Sequence, residues 1–145
     1  MALPDFDNRG DLPPGVHRVP LAEVIARFGG GNSRRQHLTA NLVRVYHLAH
    51  ATGLLDRFLI FGSYVTAKPE PNDVDLFLVM AEHFEIDDHT GDTRLLFSHS
   101  QAQQHFEASI FWATRATSHG LLDDIIAAWQ TRRDQTRHGI VEVCP

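Results

Sequence analysis

The residues from Gly62 to Leu76 read GSYVTAKPEPNDVDL, and this segment is the most informative in the chain. The pair Gly62-Ser63 closes one apolar run, and after nine further residues Asp73 and Asp75 lead into a second apolar run. Glycine permits a sharp backbone turn where a strand ends. A serine there offers a hydroxyl and a backbone N–H to phosphate oxygens. The stretch therefore predicts two strands joined by a loop with polar groups at both ends.

The two aspartates are separated by one residue, so a strand would direct both carboxylates to one face. At about 3.3 Å per residue they would lie about 7 Å apart along the strand, within reach of a shared hard cation such as Mg²⁺. The alternative is that Asp73 and Asp75 merely begin a strand. It is less favourable, because acids beside a buried run are costly unless something pairs them. A phosphate-binding turn facing a carboxylate pair predicts metal-assisted phosphoryl or nucleotidyl transfer.

The flanking sequence predicts an α+β fold, with a small mixed or antiparallel sheet flanked by helices. Residues 1–19, rich in proline and glycine near their start, are expected to form a lead-in arm, and residues 81–92 a polar loop. Expected helices cover residues 20–28, 33–52, 98–106 and 121–130, and expected strands cover residues 57–61, 74–80, 108–113 and 140–143. Leu21, Ile25 and Phe28 form the predicted apolar face of the first helix.

Bulk properties narrow the class of protein. The 145 residues are enough for one domain spanning residues 1–145. The net charge of −5 gives no general electrostatic footprint for nucleic acid. Cys144 is the only cysteine, so no intrachain disulfide or cysteine metal site is expected. With no signal-peptide pattern and no apolar run of membrane-spanning length, we expect a cytoplasmic protein that does not contact a membrane.

The Gly-Ser pair, the nine-residue gap and the Asp-Val-Asp triplet resemble the signature of the nucleotidyltransferase-fold superfamily, which includes DNA polymerase beta. The match is most similar to the minimal prokaryotic nucleotidyltransferases, many of which are encoded beside a HEPN-domain protein as toxin–antitoxin pairs. The resemblance implies the nucleotidyltransferase fold. It implies that Gly62 and Ser63 hold the β- and γ-phosphates of an NTP, expected to be ATP. It further implies that Asp73 and Asp75 bind two Mg²⁺ (or Mn²⁺) ions.

Members of that superfamily usually add a third carboxylate on a neighbouring strand, between two apolar residues. Here the matching position is Ser109, and a serine is a weak neutral ligand that cannot act as a base at neutral pH. Glu107, two residues earlier and expected on the same face, is the candidate replacement as a catalytic residue. Lys68 is either a phosphate contact or an exposed loop lysine. Tyr64 could stack on a base, but packing of the short helix is favoured.

Three functions follow as hypotheses. The first is a Mg²⁺-dependent nucleotidyltransferase that moves NMP from an NTP to a hydroxyl on a protein or an RNA, with a HEPN-type toxin as the implied partner. The second is a catalytically degenerate module that acts as an antitoxin by contact, which Ser109 motivates. The third, weaker hypothesis is a nucleotide sensor without transfer. The sequence indicates neither the preferred base nor the oligomeric state.

Overall fold

A computed structural model describes residues 2–117 and 119–145. Met1 and Ser118, which belong to the expected domain, lie outside the described residues. The strands are β1 (Gly15–Pro20), β2 (Leu55–Phe61), β3 (Val74–Met80), β4 (Ala108–Thr114) and β5 (Gly139–Cys144). The helices are α1 (Leu21–Phe28), α2 (Ser33–Ala51), α3 (Gly91–Leu95), α4 (His99–Phe106) and α5 (His119–Trp129).

In the described residues the strands form one mixed sheet in the order β1-β5-β2-β3-β4. The pairs β1–β5 and β3–β4 are parallel, and the pairs β2–β3 and β2–β5 are antiparallel. This arrangement confirms the predicted α+β class. Because β2 and β3 are antiparallel neighbours, the last residues of β2 and the first residues of β3 lie side by side at the same end of the two strands. The Gly-Ser pair and the two aspartates are therefore brought together by strand pairing.

Two cores form on the two faces of the sheet. Alternate residues of β3 point to opposite faces, so Leu76 and Leu78 join the larger core under α1, α2 and α4. Phe77 and Val79 join a smaller core under α5. All four side chains are at most 2 % exposed. This confirms the prediction that residues 74–80 form a central strand, because a continuous apolar run suits a strand that is covered on both faces.

The helix predictions hold with one correction. Asn32 caps α2 by accepting a hydrogen bond from the backbone N–H of Arg35 at 2.8 Å. In α1 the buried side chains are Val24 and Phe28, whereas Ile25 is 41 % exposed. The predicted apolar face was therefore wrong at Ile25, because the helix turns its Val24 side towards the sheet.

The lead-in arm is also different from the prediction. Residues Gly15–Pro20 form β1, an edge strand that pairs in parallel with the last strand of the chain. Leu3 and Leu12, which precede it, are buried. The sequence did not predict this strand, because the proline and glycine residues near it are typical of a loop. An edge strand tolerates them because only one of its sides must pair, and Pro20 lies at its end.

Two smaller differences concern the loops. The expected polar loop of residues 81–92 contains a 3₁₀ turn, Ile86–Asp88, and the first residues of α3. The short helical turn expected after the Gly-Ser pair is a 3₁₀ turn, Ser63–Val65. Among the described residues, no helix combines the length and the apolar character needed to cross a membrane.

Candidate active site

The Gly-Ser turn lies directly against the second aspartate. Gly62 follows β2 with φ +76°, in the left-handed region that favours glycine. A Cβ at this position would overlap Oδ2 of Asp75 and would lie 3.0 Å from its Cγ. Backbone conformation and space therefore both require glycine here. Ser63 begins the 3₁₀ turn, and its hydroxyl has no hydrogen-bond partner among the described residues.

Asp75 occupies the centre of a row of side chains across the sheet. It pairs in register with Phe61 of β2 and Ser109 of β4, so all three side chains point to the α5 face. Burial and, to a smaller extent, the charge of Asp73 raise the pKa of Asp75 to about 6, whereas His99 opposes the shift. The Asp75 carboxylate makes no hydrogen bond or ion pair within the described chain. Its surroundings leave a negative charge that a ligand could neutralise.

The first aspartate is held by the residue that stands where a third carboxylate was expected. Ser109 donates a hydrogen bond from Oγ to Oδ2 of Asp73 at 2.8 Å. The same Oγ lies 2.9 Å from Oε1 of Gln103 on α4. A serine hydroxyl has one proton, so the second contact is a hydrogen bond when the Gln103 amide presents its NH₂ group. Ser109 thus orients one carboxylate of the pair and does not add negative charge.

Glu107 lies outside β4, although the sequence suggested that it would share the strand face with Ser109. It ends α4 in the left-handed conformation, with φ 51° and ψ 44°. Its carboxylate accepts a hydrogen bond from Nη1 of Arg34 at 3.1 Å and also contacts His37, both on α2. The hydrogen bonds from His37 and Arg34 lower the pKa of Glu107. Within the described residues the Glu107 carboxylate has no hydrogen bond to either aspartate, and its proposed catalytic role stays a prediction.

A buried arginine organises the loop that follows the Gly-Ser turn. Arg35 of α2 is 7 % exposed, and its guanidinium donates hydrogen bonds to four backbone carbonyls. The acceptors are the carbonyl oxygens of Phe28 at 3.1 Å, Tyr64 at 2.9 Å, Thr66 at 2.7 Å and Lys68 at 2.7 Å. Because three of the four belong to residues 64–68, one side chain fixes the path of the loop beside the carboxylates. Nothing in the sequence distinguishes Arg35 from other arginines, because an arginine on a helix is usually exposed.

Tyr64 and Lys68, the two loop residues considered for ligand contacts, have different environments in the structure. The ring of Tyr64 is fully buried, and its hydroxyl lies 2.5 Å from Oγ1 of Thr39. Tyr64 therefore packs in the core, which was the favoured alternative. Lys68 is exposed, and its side chain has no ion pair within the described residues. Lys68 remains available to an anion.

A cavity of about 770 Å³ opens beside these residues. Gly62, Ser63 and Asp75 line it together with Lys68. Other residues that line the cavity are aromatic, or charged or polar. The aromatic residues are Phe61, Phe111 and Trp129, and the second group includes Arg9, Asp11, Arg132 and His138. The predicted phosphate turn and the second predicted metal ligand therefore share one cavity.

The lead-in segment contributes residues that the sequence analysis missed. Asp11 is 3 % exposed and accepts two hydrogen bonds from the guanidinium of Arg132, at 2.6 and 2.5 Å. These bonds lower the pKa of Asp11 and tie the N-terminal segment to the turn before β5. Arg9 and His99 also lie near the site. Arg9 was part of the expected arm, and His99 has no informative spacing, so no sequence signal identified either residue.

The carboxylates fit a metal ion only if a substrate completes its coordination. Among the described residues, no group of three or more His, Cys, Asp or Glu side chains could hold a metal ion. Mg²⁺ is commonly bound by one or two carboxylates together with substrate phosphates and water. Asp73 and Asp75 would provide such a pair, and burial together with the charge of Asp73 raises the pKa of Asp75, so a nearby cation would be favourable. The residues present therefore suit an ion that is bound together with a phosphate ligand.

Comparison with known proteins gives one match. The model of DUF6932, a family of unknown function, matches residues 4–144. No curated protein and no solved structure matches the chain.

Proposed function

The chain belongs to DUF6932, a family of unknown function, and we propose that it is a Mg²⁺-dependent nucleotidyltransferase that moves NMP from an NTP to a hydroxyl group. The observation that carries the proposal is the contact between the Gly62 turn and Asp75 on the wall of a large cavity. A phosphate-binding turn and a carboxylate pair are the two parts that metal-assisted transfer needs side by side. Their adjacency supports the nucleotidyltransferase fold that the sequence resembles.

Each residue has one task in the proposed reaction. The Ser63 hydroxyl and the backbone of the turn bind the β- and γ-phosphates, and Lys68 adds positive charge to the same groups. Asp73 and Asp75 bind Mg²⁺. When bound there, Mg²⁺ supplies positive charge at the phosphates and lowers the pKa of the attacking hydroxyl. The hydroxyl oxygen forms a bond to the α-phosphorus, the bond to the α,β-bridging oxygen breaks, pyrophosphate leaves with the electron pair, and the hydroxyl proton passes to solvent.

The acceptor is proposed to be a hydroxyl on a protein, with a HEPN-type toxin as the first candidate and RNA as the second. The net charge of −5 provides no general affinity for an RNA backbone, so the protein acceptor is favoured. The single Cys144 suits a reducing compartment, and we place the proposed reaction in the cytoplasm.

A second candidate function rests on Ser109. Its hydrogen bond to Asp73 occupies the position where related enzymes would carry a third carboxylate. Without that carboxylate, the chain would be a degenerate module that binds Mg-NTP or a partner protein and acts by contact. Action by contact on a partner protein requires the fold but not the charge of the two aspartates.

The test of the first proposal uses base-labelled ATP, GTP, CTP and UTP with Mg²⁺ or Mn²⁺. Each is incubated with the purified protein and extract of its own host. We expect label in a protein band, or in RNA, with wild type and not with the Asp73→Asn/Asp75→Asn double variant. Asp88→Asn, which changes an exposed carboxylate on a distant loop, is the matched control and should transfer normally.

The outcomes separate the two candidates. Transfer that persists in the double variant would refute the assignment of the carboxylates. Absence of transfer in wild type, with Mg-NTP binding and partner binding intact in wild type, would favour the degenerate module. That module also predicts that the double variant still neutralises its partner. A double variant that forms the complex without neutralising it would exclude action by contact alone.

A further inference from the structure

Three aromatic rings from three elements form one wall of the cavity. Phe61 of β2 and Trp129 of α5 are stacked, with ring centroids 4.2 Å apart and planes 17° apart. The ring of Phe111 on β4 lies 5.0 Å from Trp129 and 6.2 Å from Phe61. We use the name aromatic wall for these three residues.

The three rings differ in exposure. Phe61 is 7 % exposed and joins the smaller core, against which Trp129 packs. Phe111 is 38 % exposed, and it is one of three large apolar residues that remain exposed in the described chain. Core packing accounts for the first two rings, whereas Phe111 packs against its neighbours and still leaves more than a third of its surface open on the cavity wall. An exposed aromatic face beside a polar site is typical of a surface that stacks on a planar ligand.

The position of Phe111 relative to the carboxylates is set by strand register. Ser109 pairs with Asp75, and Phe111 pairs with Phe77, the next residue of β3 on the same face. Phe111 therefore lies two residues beyond Ser109, about 7 Å along β4 and on the same face as the carboxylate. This separation suits a ribose, which joins a base to the α-phosphate.

The cavity lining combines groups that suit the parts of a nucleotide. The aromatic wall offers rings for a base, Lys68 and Arg9 offer positive charge for phosphates, and Asp75 also lines the cavity. Tyr64, the aromatic residue that the sequence offered for stacking, is fully buried and cannot reach a ligand.

We propose that Phe111, which packs against Trp129, is the platform on which the nucleobase of the bound nucleotide stacks. This inference rests on the proposed function and adds the site for the base. The ring contacts of Phe111 are with Phe61, Trp129 and His99, and of these only the His99 imidazole could read a base edge. Selection therefore depends mainly on ring area, and purine nucleotides bind more tightly than pyrimidine nucleotides.

The experiment measures binding without turnover, by titration calorimetry with Mg²⁺. The probes are α,β-methylene ATP, its CTP counterpart and inorganic tripolyphosphate, which has no base. Wild type should bind the ATP analogue more tightly than the CTP analogue, and both more tightly than tripolyphosphate. Phe111→Ala should weaken binding of the ATP analogue by about 5- to 100-fold and leave tripolyphosphate binding unchanged.

Three further variants serve as controls. Phe111→Trp should restore the affinity, because it replaces the stacking surface. Phe111→Leu keeps the apolar packing, so it should fold as wild type and lose affinity for the ATP analogue as Phe111→Ala does. Ile25→Ala removes an equally exposed apolar side chain on α1, outside the cavity lining, and should have no effect.

The results distinguish this inference from the proposed function. If Phe111→Leu binds the ATP analogue as wild type does, or loses tripolyphosphate affinity equally, the stacking role is overturned. If wild type binds tripolyphosphate through Asp73 and Asp75 but gains nothing from a base, the stacking role fails and the phosphate site stands. If wild type binds none of the probes, both are overturned.

Discussion

The hydroxyl of Ser109 donates a hydrogen bond to Oδ2 of Asp73 at 2.8 Å, across the parallel pair β3–β4. The contact places a neutral donor between two carboxylates, because Ser109 also pairs in register with Asp75. A carboxylate at this position would have added a third negative charge to the same row. In the proposed site a cation would meet two carboxylates and one hydroxyl, and the first prediction concerns Ser109.

Ser109→Asp should strengthen the affinity for Mn²⁺ and weaken the fold in the absence of metal. The third carboxylate adds repulsion beside Asp75, which we expect to lower the free energy of unfolding in EDTA by about 1–2 kcal/mol. Calorimetric titration with Mn²⁺ and denaturation in EDTA measure the two effects. Ser109→Asn, neutral and similar in size, is the control. Equal Mn²⁺ affinity in the two variants would contradict the prediction.

Gly62→Ala should abolish binding of Mg-NTP and lower stability. The added Cβ meets the Asp75 carboxylate, and the positive φ strains any other residue. Gly53 is a matched control, since it has a similar φ of +72° and nothing within 4 Å of a built Cβ. Gly53→Ala should cost about 1 kcal/mol from strain alone and retain nucleotide binding. Equal losses in the two variants, measured by denaturation and calorimetry, would show that contact with Asp75 is unimportant.

Asp75→Asn should stabilise the metal-free protein at pH 7.5. The substitution removes a charge that burial and Asp73 both disfavour, and we expect a gain of about 1–2 kcal/mol in EDTA. Wild type should recover this difference when Mg²⁺ and nucleotide are added, whereas Asp75→Asn should not respond. Thermal denaturation with and without ligand provides the measurement. A variant that is less stable than wild type in EDTA would mean that the Asp75 carboxylate has a structural partner.

Arg35→Lys should lower the free energy of unfolding by about 2–4 kcal/mol. A lysine cannot reach four carbonyl oxygens with its single ammonium group, and the buried carbonyls left without donors carry a desolvation cost. Arg44→Lys is the matched change on the same helix, at an exposed residue paired with Asp92. It should cost less than about 0.5 kcal/mol. Chemical denaturation of the two variants decides whether burial of Arg35 matters.

The ion pair between Asp11 and Arg132 predicts how stability depends on pH. The hydrogen bonds from Arg132 lower the pKa of Asp11 below its ordinary value of 3.8, so the unfolded chain takes up this proton first as the pH falls. The contribution is complete above pH 3.8 and is lost as the pH falls through the lower pKa of the folded state.

Asp11→Asn provides the comparison for that pH dependence. The variant should be less stable than wild type by about 2–4 kcal/mol at pH 7, because it leaves Arg132 without its buried partner. The difference should stay constant down to about pH 5 and then narrow below about pH 4. Denaturation curves from pH 7 to pH 3 test this. A difference that widens on acidification would show that other groups dominate.

The local sequence predicted the helices and strands whose apolar residues follow a clear periodic or continuous pattern. The stripe of Leu38, Leu42, Val45 and Ala49 is buried along α2, as a helix of that period requires. The run in β3 is buried on both faces. The prediction for Ile25 was wrong, because the rotation of a short helix depends on the sheet beneath it and not on the helix alone. The strand β1 was missed, because its partner lies more than a hundred residues away.

Periodicity and short spacing along the chain are enough to predict the α+β class, the central strands and the proximity of a glycine-serine turn to two aspartates. Which distant residues join that turn depends on tertiary contacts. Strand pairing placed Ser109 beside Asp73, and it placed Phe111 on the wall of the cavity that Gly62 and Asp75 also line. Helix packing placed Glu107 within hydrogen-bond distance of Arg34, and it buried Arg35 beneath the loop of residues 64–68. These contacts arise from register and packing between remote segments, which no local pattern encodes.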